Sequence, residues 1–153
     1  IDLASFYKIK YLQLHLSDDQ SFTFPSEIFP KLASPDRPYS KRDFKELVKY
    51  ASDRGIIIIP EMDIPGHSRQ FVEIYPEIFG VKNKMLQINP WKSNVINIGS
   101  EKVYAAIDQL IGEIIEVFNA RSLFSRNLIY LIREVSDLYF EKTSSVKKLV
   151  VLE

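Results

Sequence analysis

Four consecutive isoleucines, Ile56 to Ile59, sit inside the run "GIIIIPEMDIPGHS" at residues 55–68. A strand with no polar face belongs in a sheet covered on both sides, which is how parallel sheets in α/β proteins are built. Pro60 lies near the strand's end, where a missing N–H is tolerable. Glu61, Asp63, a Pro-Gly turn and His67 then crowd at its C-terminal tip.

The flanking segments fit the same plan. Ile9 to Leu16, "IKYLQLHL", mixes β-branched, aromatic and Leu residues in near alternation and predicts a strand. "SKRDFKELVKYASDRG" predicts a helix with Ser40 as N-cap and Asp43 completing a capping box. Phe44, Leu47, Val48 and Ala51 make its apolar face, and Gly55 suits a left-handed C-terminal cap. A long connection leads to "SEKVYAAIDQLIGEIIEVF", a helix from Ser100 with apolar positions 103, 106, 107, 110, 111, 114, 115 and 118. "NLIYLI" at 127–132 predicts a third strand, with a further helix from Arg133. Strand, helix, strand, helix, strand argues for a parallel α/β sheet with right-handed crossovers.

The 153 residues suit one domain. Lys plus Arg equals Asp plus Glu, 20 against 20, so no global positive field recruits nucleic acid or an anionic membrane. No apolar run approaches a membrane span. Cysteine is absent, which removes disulfides and thiolate metal sites. The opening "IDLASFYKIK" lacks a signal-peptide layout, and with no initiator Met and a close on "KKLVVLE" the expectation is a piece of a longer chain.

Ionisable residues gather after each strand: His15, Asp18 and Asp19, then Glu61, Asp63 and His67, then Arg133 and Glu134. Parallel α/β folds place their sites at the C-terminal ends of strands, so three such clusters point to one pocket. Singly, each has an ordinary explanation, since Asp favours turns and a strand histidine is often just hydrogen-bonded. Together they suit two chemistries. Glycoside hydrolysis needs a carboxylic acid to protonate the leaving oxygen and a nucleophile to catch the sugar cation. A divalent-metal hydrolase could use the same His and carboxylates, but neither His-x-His nor His-Glu-x-x-His occurs, which ranks it lower.

"KIKYLQLHLSDDQSF" and "YSKRDFKELVKYASDRGIIIIPEMDIPGHS" resemble two segments of the β-N-acetylhexosaminidases of glycoside hydrolase family 20, and "INPWKSN" and the Ser100 helix follow in the family's order. The resemblance covers residues 1 to about 118 well, with 119–153 divergent. It implies a (β/α)8 TIM barrel, of which this chain would supply roughly strands two to four. It also implies removal of terminal N-acetylglucosamine or N-acetylgalactosamine from glycans, no cofactor, and a lysosomal, secreted or periplasmic setting. The mechanism is substrate-assisted, with the substrate's own acetamide oxygen as nucleophile. By the resemblance, Asp18 pairs with His67 to support a glutamate acid in the place of Glu134, while His15, Asp19, Glu61 and Asp63 shape the substrate site. "LIYLIREV" departs from the family's His-x-Gly-Gly-Asp-Glu-Val: Tyr130 replaces the His, the glycines are lost and Arg133 stands where the Asp belongs. A guanidinium there faces a developing cation and favours ionised Glu134, so impaired turnover is expected. A non-catalytic amino-sugar-binding relic is the alternative. Trp91, in a loop, is expected to serve packing or the surface.

Overall fold

The computed structural model describes residues 1–37, 39–80 and 94–118. In chain order these form α1 (Asp2–Phe6), β1 (Tyr11–His15), α2 (Lys41–Ser52), β2 (Ile57–Glu61), α3 (Arg69–Ile74), α4 (Pro76–Phe79) and α5 (Glu101–Phe118). Trp91, the expected strand at 127–132, and the helix carrying Arg133 and Glu134 lie outside the described residues.

The two strands pair in parallel, from Tyr11 opposite Ile57 to His15 opposite Glu61. Parallel neighbours need a crossover, which α2 supplies. Pro60 sits inside β2, one residue before its end, and the strand reaches Glu61. Ile56 and Ile58 are buried, and Leu12 and Leu14 pack against the core on the same side as Ile58. Ile57 and Ile59 are only half-buried, and Tyr11, Gln13 and His15 beside them are exposed. The expectation of a strand covered on both faces thus holds for one face among the described residues, because α2 and α5 both pack on that side.

Local chemistry accounts for α2. Ser40 Oγ accepts from the Asp43 N–H at 3.2 Å, and Asp43 Oδ2 accepts from the Ser40 N–H at 2.7 Å, closing the capping box. At the other end Gly55 takes φ +71°, and the N–H groups of Gly55 and Ile56 donate to the carbonyls of Ser52 and Ala51. This is the left-handed stop that glycine makes cheaply.

The segment between β1 and α2 is part of the core. Ser17 and Phe22 form an antiparallel bridge around a turn closed by Asp18 and Ser21. Phe22, Phe24 and Leu32 are fully buried. Phe22 packs edge-on to Phe71 of α3, which packs edge-on to Phe79 of α4 and so reaches Phe29. Phe24 packs on Phe44 of α2, which meets Phe118 of α5. Glu113, deep in the face of α5, accepts from Ser26 Oγ, from the Glu27 N–H at 2.8 Å and from Lys41 Nζ at 2.9 Å. Burial pushes its carboxyl up, but these donors outweigh burial and hold it below the ordinary range. No helix among the described residues is long and apolar enough to cross a membrane.

Candidate active site

Because β1 and β2 are parallel neighbours, their C-terminal tips lie side by side and bring two sequence clusters together. Leu16 donates its N–H to the Glu61 carbonyl at 2.8 Å, which locks the strand ends. The chain after β1 turns at Asp18 and Asp19; the chain after β2 runs through Asp63 and a cis Ile64–Pro65 bond to His67. Ser17, fully buried, fastens the two by accepting the Asp63 N–H at 2.9 Å.

His67 has φ 48°, in the left-handed region where a Cβ costs about 1–2 kcal/mol. Its neighbour Ser68 holds it there. Ser68 is buried, its Oγ donates to the Gly66 carbonyl at 2.7 Å, and its N–H donates to the Asn94 carbonyl at 2.8 Å. An observed backbone strain of this kind is what a functional position can carry when its surroundings over-determine it.

The His67 ring meets Asp18, with Nδ1 3.0 Å from Oδ1. An ionised carboxylate only accepts, so Nδ1 carries the proton and Nε2 is left for another partner. The same Asp18 Oδ1 accepts the Asp19 N–H at 2.6 Å. That N–H and the His67 imidazole hold the Asp18 carboxyl below its ordinary value, against the effect of burial. The Asp18 hydrogen bond, then the nearby Asp63 charge, raise His67 above the usual imidazole value. His67 is more than half exposed and Asp18 partly so, leaving both open to solvent and to a ligand.

His15 lies on the other side of Asp18. Its Nδ1 donates to Glu61 Oε2 at 2.8 Å, and its Nε2 faces Asp18 Oδ2 at 3.7 Å. Asp19 points into the loop: Oδ1 accepts the Arg69 N–H at 3.2 Å and Oδ2 accepts from the Asn94 amide at 3.1 Å. Six of the seven candidate site residues therefore converge, and Glu134 lies outside the described residues. Asp18, Asp19 and His67 bring one donor atom each within 4.8 Å of one another. Both Asp19 oxygens and Asp18 Oδ1 already accept hydrogen bonds from Arg69, Asn94, the Asp19 N–H and His67, so these groups are satisfied as a hydrogen-bonded acid–imidazole cluster without an ion.

Sequence reasoning missed Ser17, Ser68, Arg69 and Asn94. The two serines adjoin the motifs, in "SDD" and "GHS", and their position was the available signal. Asn94 carried none, because it reaches Asp19 across 75 positions.

The model of "Glycosyl hydrolase family 20, catalytic domain" matches residues 1–149. The chain belongs to glycosyl hydrolase family 20. Among its relatives, the β-hexosaminidase of Akkermansia muciniphila is 38% identical over 93 residues, covering 52% of this chain and 19% of that protein. The human β-hexosaminidase subunit beta is 31% identical over 127 residues, covering 77% of this chain and 22% of that protein. A solved structure of a mutant Streptomyces plicatus β-hexosaminidase in complex with its product GlcNAc is 30% identical with a TM-score of 0.63, over 76% of this chain and 26% of that one. This family 20 chain therefore spans about a fifth of the length of the curated relatives it matches. Its structural neighbours imply a TIM-barrel catalytic domain.

Proposed function

We propose that this family 20 chain supplies part of the site of a β-N-acetylhexosaminidase, acting on terminal N-acetylhexosamine residues of glycans by the substrate-assisted, retaining route. β1 and β2 take the places of the second and third barrel strands. The observation that carries this reading is the Asp18–His67 pair, built at 3.0 Å from the tips of adjacent parallel strands in a chain of this family. In this reading His67, held by Asp18, offers its free edge to the glutamate that protonates the leaving oxygen, assigned to Glu134. Asp19, Glu61, Asp63 and His15 shape the pocket around the sugar.

The reading extends to weak turnover. Arg133 precedes Glu134 where the mechanism calls for an acid to orient the acetamide and neutralise the oxazolinium charge. A thiazoline mimic of that intermediate tests binding directly. Titrated into the protein, it is expected to perturb the His67 ring signals, and no perturbation at millimolar ligand would end the amino-sugar reading. Normal turnover of a chromogenic N-acetylglucosaminide would overturn the impairment alone.

A further inference from the structure

Asn94 joins the residues that follow each member of the Asp18–His67 pair. Its side-chain amide donates to Asp19 Oδ2 at 3.1 Å, and its carbonyl accepts the Ser68 N–H at 2.8 Å. The Asp19 N–H in turn donates to Asp18 Oδ1 at 2.6 Å, the oxygen that takes His67 Nδ1 at 3.0 Å. Asp18, His67, Ser68, Asn94 and Asp19 thus close a circuit of hydrogen bonds and peptide links. Asn94 enters it from outside both strand-tip loops, 75 positions from Asp19.

The core holds Asn94 in place. Ile96 is fully buried, and its N–H donates to the Pro65 carbonyl at 3.0 Å, while the Asn97 N–H donates to the Phe79 carbonyl at 2.8 Å. A carboxylate held on one oxygen can turn about its last torsion, and the Arg69 N–H at 3.2 Å holds only Asp19 Oδ1. The Asn94 amide takes the second oxygen. Fixed at both, the Asp19 side chain keeps its own backbone N–H aimed at Asp18.

We infer that Asn94 is a positioning residue for the Asp18–His67 pair: through Asp19 it sets the N–H that orients the Asp18 carboxylate, and so the face that carboxylate offers to His67. Asn94 touches no reacting atom. Its use in turnover rests on the amino-sugar reading above, whereas the clamp can be tested without a ligand.

The test is the tautomer of His67, read from imidazole nitrogen shifts in the unliganded protein at a pH where both rings are neutral. His15, the other histidine of the chain, is the internal reference, because its Nδ1 bonds Glu61, outside the circuit. Asn94→Ala is expected to lower the share of His67 with its proton on Nδ1 and to leave the His15 share unmoved. Asp19→Ala is expected to lower the His67 share further, since it also frees the Arg69 N–H. On the Asp19→Ala background, Asn94→Ala is expected to add nothing, because its route to the pair is already cut. Asn94→Asp keeps the shape of the side chain but sets an acceptor against Asp19 Oδ2. It is expected to act like Asn94→Ala, and it serves where the alanine variant fails to fold. A His67 share unchanged in the folded variant would overturn the proposal. So would an undiminished loss on the Asp19→Ala background, or equal movement of both histidines. A shifted tautomer with no thiazoline binding keeps the clamp and sinks the sugar reading; thiazoline binding with an unmoved tautomer does the reverse.

Discussion

Nδ1 of His67 lies 3.0 Å from Oδ1 of Asp18 across 49 positions of chain, and the two groups displace each other's titration in opposite directions. Asp18 is lowered from 3.8, so its contribution to stability is present above that value and is lost as pH falls through the folded one. His67 is raised from 6.5, so its contribution is full below that value and is lost as pH rises through the folded one. The pair therefore stabilises most between pH 3.8 and 6.5.

Asp18→Asn tests that window. The His67 titration midpoint is expected to move down toward 6.5, followed by proton NMR. The loss of melting temperature relative to the parent should be larger at about pH 5 than at about pH 8.5. Equal losses at both would show that the pair carries no linked charge.

Glu113→Ala is expected to cost roughly 2 kcal/mol, because it strips the acceptor from Ser26, Glu27 and Lys41 in one step. That corresponds to a melting temperature lower by roughly 4–8 °C. The Glu113 carboxyl is lowered from 4.5, so the parent's advantage is present above that value and fades as pH falls through the folded one. Thermal melts across the acid range check both statements.

The two ends of α2 should act independently. Ser40→Ala removes the capping acceptor at about 1 kcal/mol. Gly55→Ala forces a Cβ into φ +71° at about 1–2 kcal/mol, although the surrounding space is open. Denaturant melts of the double variant should give the sum of the single losses within about 0.5 kcal/mol.

Asp19→Ala is expected to release the Arg69 amide, which hydrogen exchange would report as faster exchange at that position. Asn94→Ala removes a donor to the other oxygen and should leave Arg69 protected. Equal exchange in the two variants would place the restraint on this loop elsewhere.

What was legible in the sequence was local. α2 could be read to its caps because Ser40, Asp43 and Gly55 act within one turn of where they stand. β1 and β2 were legible from alternation and from the isoleucine run, and their parallel pairing from the helix between them. The burial of Phe22 and Phe24 was not, because a Ser-, Pro- and Asp-rich stretch reads as loop and only contacts with Phe71 and Phe44 bring it inside. α3 and α4, of 6 and 4 residues, are too short to show a period. Glu113 stands among buried neighbours of α5, yet a lone acid in an apolar stripe gives no hint of the three donors that satisfy it. The site residues were legible as clusters with Ser17 and Ser68 adjoining them, whereas Asn94 meets Asp19 only through the fold.

The Glu113 contacts also set an order of events. Ser26 and Glu113 are 87 positions apart, and Glu27 and Lys41 meet the same carboxylate across 86 and 72. During synthesis the Asp18 turn, α2 and β2 all leave the ribosome before the helix that fastens the segment between them. Contacts of such separation close late, after the intervening chain has been gathered. The stretch from Ser26 to Lys41 is thus translated early and fastened late.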